Sequence, residues 1–168
     1  KRYCYNCFNT FNYFFMKLTD NFSLSELIKS QTAERCDIYN LPDKEHIESL
    51  QKLCDNILQP IRDYFKKPVV ISSGYRSPEL SQKIGSSSRS QHCKGEAADL
   101  EIPGVSNKEL ADFINENLSF DQVILEFHNP DEINSGWVHV SYVSDRNRSE
   151  YLLAEKDENG KVRYSRCL

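Results

Sequence analysis

Apolar positions recur at two periods along this chain: every three or four residues early on, and every second residue later. Ile47, Leu50, Leu53, Cys54, Ile57, Leu58, Ile61 and Phe65 form one stripe at three- and four-residue steps. That stripe predicts a helix capped by Asp43 and running to about Phe65. Pro60 inside it is expected to kink the helix or split off its last turn. Ser23-Leu24-Ser25-Glu26 and Ser106-Asn107-Lys108-Glu109 both have capping-box spacing. They open helices to about Ser30 and about Asn117. A further short helix is predicted over Pro78–Ile84, with proline in its first turn. Cys36 to Pro42 and the Ser-rich stretch Gly85 to Ser90 read as loops.

The remaining segments read as strands: Pro68–Ser73 from its β-branched run, then Ala97–Ile102, Gln122–Phe127 and Gly136–Val143. Tyr151–Glu155 and Val162–Ser165 flank Asp157-Glu158-Asn159-Gly160 and form a hairpin. Helices come first, then mostly strands with one helix between. This order predicts an α+β fold, N-terminal helices packed on a small antiparallel-rich sheet.

Strand side chains alternate between faces. Ala98, Leu100 and Ile102 take the core side of their strand, so Asp99 points away from it with Ala97 and Glu101. Val123, Leu125 and Phe127 form the apolar face of the next strand and leave Glu126 opposite, with Gln122 and Ile124. Trp137, His139 and Ser141 share a face, and Val138, Val140 and Tyr142 take the other. The connection from His128 to Ser135 is short enough for antiparallel neighbours. If their faces register, Glu126 and His139 project into one space.

Composition narrows this picture. The 168 residues make one domain by size. A net charge of −4 argues against a nucleic-acid binder driven by phosphate contacts. No run of 18 apolar residues suggests a membrane span. Of six cysteines only Cys4-x-x-Cys7 has metal-like or redox-like spacing, and no second pair complements it. A reducing compartment of synthesis is expected. Residues 1–15 are aromatic and Asn-rich, without periodicity. They lack the aliphatic stretch and cleavage site of a signal peptide. They read as a disordered or non-native extension before Met16, with 16–168 as the single domain.

Two stretches carry chemistry: Ser90-Gln91-His92-Cys93-Lys94-Gly95-Glu96-Ala97-Ala98-Asp99, and Trp137-Val138-His139-Val140-Ser141. Singly, His92 reads as a loop histidine, His139 as a hydrogen-bonded strand histidine and Asp99 as a solvated carboxylate. Together they make two imidazoles and a carboxylate, a donor set that holds a catalytic zinc and leaves a position open. His46, among charged neighbours, reads as solvated surface.

Ser72-Ser73-Gly74-Tyr75-Arg76-Ser77, Ser90-x-His92-x-x-Gly95-x-Ala97-x-Asp99 and Trp137-Val138-His139-Val140-Ser141, in this order, resemble the zinc D-Ala-D-Ala carboxypeptidase family. The resemblance covers about residues 20 to 145 and is closest to short single-domain phage and bacterial members. It implies a fold like that of the Hedgehog signalling domain, which shares the metal scaffold. It implies Zn2+ held by His92, Asp99 and His139, and Arg76 binding the substrate carboxylate or polarising the scissile carbonyl. Trp137, Ser73 and Ser90 are expected at the substrate, with Ser72 beside them. Several members carry a general base in a Glu-x-x-His pattern, but Gly136 stands at that position here. Others carry a second histidine where this chain has Trp137. Glu126, on the preceding strand, is therefore the expected base, in an Asp121-to-Glu126 run like that of the short members. Asp131, Glu132 and His128 are weaker candidates.

The implied activity is hydrolysis of peptidoglycan stem peptides, at a D-Ala-D-Ala or an L-Ala-D-Glu bond, by a monomer. It would act at the bacterial cell wall after lysis or as a virion component. The alternative is a non-catalytic binding, signalling or virion module on the same zinc scaffold.

Overall fold

The computed structural model describes residues 15–132 and 135–167. The Cys4–Cys7 pair and nearly all of the expected N-terminal extension lie outside the described residues. Six α-helices and six strands follow; Gln31–Cys36 was not expected, and the single helix expected to Phe65 is divided in two. The helices are α1 (Leu24–Ile28), α2 (Gln31–Cys36), α3 (Lys44–Leu53), α4 (Gln59–Phe65), α5 (Pro78–Lys83) and α6 (Asn107–Asn117). The strands are β1 (Val70–Ser73), β2 (Ala97–Glu101), β3 (Gln122–Glu126), β4 (Trp137–Ser141), β5 (Glu150–Lys156) and β6 (Val162–Arg166). Among the described residues no helix is long and apolar enough to cross a membrane.

The helix starts are set by side-chain caps. Asp43 accepts from the His46 N–H at 2.9 Å, and Ser106 from the Glu109 N–H at 3.1 Å. Glu26 accepts from the Ser23 N–H at 2.8 Å. The stripe from Ile47 to Phe65 is continuous, but it is not one α-helix. Cys54–Leu58 forms a π-helical turn, in which the Gln59 N–H reaches back five residues to the Cys54 carbonyl. Pro60 follows directly. It has no N–H to give the ladder, and the widened turn absorbs that loss, setting Gln59–Phe65 apart where a kink or a split-off last turn was expected.

All six strands form one sheet in the order β1-β2-β4-β3-β5-β6. Every pairing is antiparallel except β3 with β5. Leu50, Leu53, Ile57, Leu58 and Ile61 of the helices pack with Ala98, Leu100, Val123, Leu125, Val138 and Val140 of the sheet into one buried core. These are the positions that strand parity assigned to the core side. The opposite face of β2, β4 and β3 carries the candidate chemistry.

The parallel placement of β5 depends on Asp121, which is buried at the start of β3. Its carboxylate accepts from the Arg148 backbone N–H, from Arg148 Nε at 3.0 Å and from Nη2 at 2.7 Å. Burial opposes the Asp121 charge, but these bonds and one from Gln91 hold its carboxyl below the usual range. The segment entering β5 is thereby fastened beside β3. Gln122 Nε2 then donates to Glu150 at 2.7 Å.

Candidate metal centre

Register brings the distant side chains together. Asp99 on β2 lies directly opposite His139 on β4, which lies opposite Ile124 on β3. One step along, Trp137 lies opposite Glu126. Residues paired in register share a face, so Asp99, His139, Trp137 and Glu126 all stand on the non-core side. That side is a cleft rather than open surface: Asp99 and His139 are buried.

His92 comes from outside the sheet. It sits on a 3-10 turn, Gln91–Lys94, that Ser90 caps and Gly95 ends. Gly95 has φ +70°, and a Cβ there would stand 2.4 Å from the His46 carbonyl oxygen. Only glycine closes the turn against that backbone. His46 itself is half-buried, its ring 5.4 Å from that of Tyr75, where solvated surface was expected.

His92 Nδ1 lies 2.7 Å from the Gly74 carbonyl. A carbonyl only accepts, so Nδ1 carries the proton and Nε2 presents its lone pair. Burial lowers the His92 pKa and favours this neutral form, against the pull of Asp99. Burial also opposes the charge of Asp99. Its contacts with the imidazoles of His92 and His139 outweigh it and hold the carboxyl well below the usual carboxylate range.

These atoms fit one cation. His92 Nε2 and His139 Nδ1 are 3.3 Å apart, and Asp99 Oδ1 lies 2.9 Å from His139 Nδ1 and 3.2 Å from His92 Nε2. Two ligands about 2.0–2.1 Å from a tetrahedral ion stand about 3.3 Å apart. The three donors already have nearly that spacing without any large shift. Among the described residues they form the group of His, Cys, Asp and Glu side chains able to hold a metal ion.

The other oxygen of Asp99 is taken by Arg76, whose Nη2 donates to Oδ2 at 2.5 Å. The same Nη2 lies 3.1 Å from His92 Nε2, and Arg76 Nε donates to Ser73 Oγ at 2.7 Å. Ser73 reaches the site because β1 bulges. Ile71 pairs with Leu100 and Ser73 with Asp99, so Ser72 is the extra residue and Ser73 turns to the site face. Ser72 Oγ donates to the Asp99 backbone carbonyl at 3.1 Å. The expected substrate residues Arg76 and Ser73 thus have roles within the cradle: Ser73 orients Arg76, and Arg76 orients Asp99. Ser90 caps the turn and lines the cleft.

The cleft has a volume of about 420 Å³ and is lined on this side by Arg76, Ser90, His92 and Asp99. Glu126, Trp137, His139 and Tyr164 line the other. Glu126 is half-buried and makes no hydrogen bond or ion pair among the described residues. Burial, and then the charge of Asp99, raise its pKa, against the opposing effect of His139 and Arg76. Asp131 and Glu132 are exposed and do not line the cleft, and neither does His128.

The glycine in place of a Glu-x-x-His carboxylate has a steric cause. Gly136 has φ +66°, and a Cβ there would lie 1.8 Å from the Glu126 carbonyl oxygen. No side chain fits where the β4 backbone starts against the end of β3. Asn107, buried at the start of α6, holds this approach by donating to the carbonyls of Ser135 at 3.0 Å and Gly136 at 3.1 Å. Sequence reasoning missed Asn107 and Tyr164, and it missed Gln91, which ties the His92 turn to Asp121 at 2.9 Å. Alternation along β6 was the one signal available for Tyr164.

Comparison with curated proteins finds no match. A family model described as peptidase M15 matches residues 20–141, more than half of the chain. The match spans all three donors, Arg76 and Glu126, and ends at the last residue of β4. The peptidases of this family are zinc-dependent, in keeping with the donor set and its spacing. The chain therefore belongs to the peptidase M15 family, the zinc D-Ala-D-Ala carboxypeptidases that its sequence motifs resemble.

Proposed function

We propose that this metallopeptidase hydrolyses peptidoglycan stem peptides, at a D-Ala-D-Ala or an L-Ala-D-Glu bond, in cell-wall lysis or remodelling of the phage type. In this reading His92, Asp99 and His139 hold Zn2+, which when bound supplies a Lewis acid and makes water a nucleophile near neutral pH. Glu126 takes a proton from the attacking water and returns it to the leaving amine. Arg76 offsets negative charge building on the carbonyl oxygen while it steadies Asp99. Trp137 forms a wall for the substrate. The protein acts at the bacterial cell wall, after lysis or as part of a virion.

The observation that carries the catalytic reading over a binding module is Glu126. A module that only binds has no use for a carboxylate without partners, its pKa raised, on the face of the metal donors. Digestion of purified peptidoglycan by the zinc-loaded protein, read by mass spectrometry, tests it. Loss of a terminal alanine, or release of a stem peptide cut after its first residue, is expected. A zinc-loaded protein that leaves every stem peptide intact would overturn the reading in favour of the binding module.

A further inference from the structure

Register places one more side chain in the cleft. Trp137 on β4, Glu126 on β3, Ala154 on β5 and Tyr164 on β6 lie opposite one another in a continuous row across four strands. They therefore share a face, and Trp137, Glu126 and Tyr164 line the same cleft as the metal donors. Glu126 and Tyr164 are two strand spacings apart, about 10 Å between backbones. Between them stands the small Ala154, which is fully buried. Ala154 offers only a methyl group between them, and Tyr164, 59% exposed, lines the cleft at its β6 end. The ring is near enough to Glu126 to sense its charge: burial, and then Glu126, keep the phenol protonated, hence a donor. The Tyr164 hydroxyl makes no hydrogen bond among the described residues. Tyr164 also lies beyond the stretch 20–141 that matches the family. The cleft thus runs across the strands, from Arg76 beside β1 to Tyr164 on β6, with the donors and Glu126 between.

We propose that Tyr164 is a substrate-binding residue: its hydroxyl donates to a backbone carbonyl of the bound peptide, on the side of the scissile bond away from Arg76, and the β5–β6 hairpin thereby sets which peptide is accepted. This rests on the peptidase reading above. Trp137 is the chain's single tryptophan and lines the cleft, so its fluorescence reports occupancy directly.

The test is titration of a synthetic stem peptide into the zinc-loaded Glu126→Gln protein, alone and with Tyr164→Phe or Tyr164→Ala added. Turnover of the single Tyr164 variants is measured in parallel. Tyr164→Phe keeps the ring and removes the donor. It is expected to weaken peptide binding roughly 3- to 10-fold, the scale of one neutral hydrogen bond, with zinc content and melting temperature unchanged. Tyr164→Ala is expected to weaken it further. Ala154→Leu, which keeps tyrosine at 164 but shifts its ring and hydroxyl together, should reproduce the loss. Affinity and KM equal to the parent's in both Tyr164 variants would overturn the proposal, with the peptidase reading left standing. A parent that neither binds nor cuts any stem peptide would overturn both together.

Discussion

The two sides of the cleft are built on opposite plans. At the metal cradle His92, Asp99 and Arg76 each have a holder. Gly74 takes the His92 Nδ1 proton, Arg76 takes the outer oxygen of Asp99, and Ser73 takes the Arg76 Nε–H. At the other side Glu126 and the hydroxyl of Tyr164 make no hydrogen bond among the described residues, and the buried Trp137 Nε1 has no partner. The difference follows from the tasks. Ligands must keep one protonation state and one geometry, and partners behind them secure both. A carboxylate that takes and gives back a proton works best with a pKa near the working pH, and partners that favour its charge would hold that pKa low. The cradle is rigid and charged. The Glu126 side is left unsatisfied for a substrate to complete.

Breaking the cradle has the largest expected effect. His92→Ala or His139→Ala removes one of three donors, and metal analysis should fall from about one zinc per chain to none, with turnover lost. Full zinc retention in the double variant would refute the assignment. Breaking the backbone approach that serves Glu126 should cost less. Gly136→Ala puts a methyl group against the Glu126 carbonyl at a positive φ, and is expected to destabilise the fold by about 2 kcal/mol or more. For a chain of this size that lowers the melting temperature by roughly 4–8 °C, while an unchanged transition would mean the strand ends relax apart. Asp131→Asn and Glu132→Gln, exposed and outside the cleft, should change turnover by less than about twofold, the scale expected where no reacting proton is in reach. A larger fall in either would move the proton transfer out of the cleft.

What could be read in advance follows from how local each signal is. Alternation in β2, β3 and β4 is a property of four or five consecutive residues, so it put Asp99, His139 and Glu126 on one face before any pairing was known. The β3–β4 pairing then needed only a short connection. His92 sits on a 3-10 turn, which has no hydrophobic period, and only its motif marked it. Helix α2 escaped because it is six residues long and buries only Ala33. The parallel docking of β5 escaped because it rests on Asp121 and Arg148, 27 positions apart in sequence. Tyr164 escaped with it, since the face of a hairpin means nothing until its sheet partner is known. Gly136 was visible as a departure from the family's pattern, but the reason, a carbonyl oxygen where a Cβ would go, belongs to the tertiary structure.

The division between a cradle that binds and a carboxylate that works is tested most directly by Glu126→Gln, with zinc content and turnover measured on the same sample across pH. In the parent, turnover should fall on the acid side as Glu126 takes up a proton. Burial and the charge of Asp99 raise the Glu126 pKa, a bound zinc ion opposes them, and the position of that limb reports the balance. In Glu126→Gln zinc should stay at about one per chain, turnover should drop roughly 100-fold or more, and the acid limb should vanish. Undiminished turnover with the limb intact would contradict the account, as would a loss of turnover that merely tracks a loss of zinc.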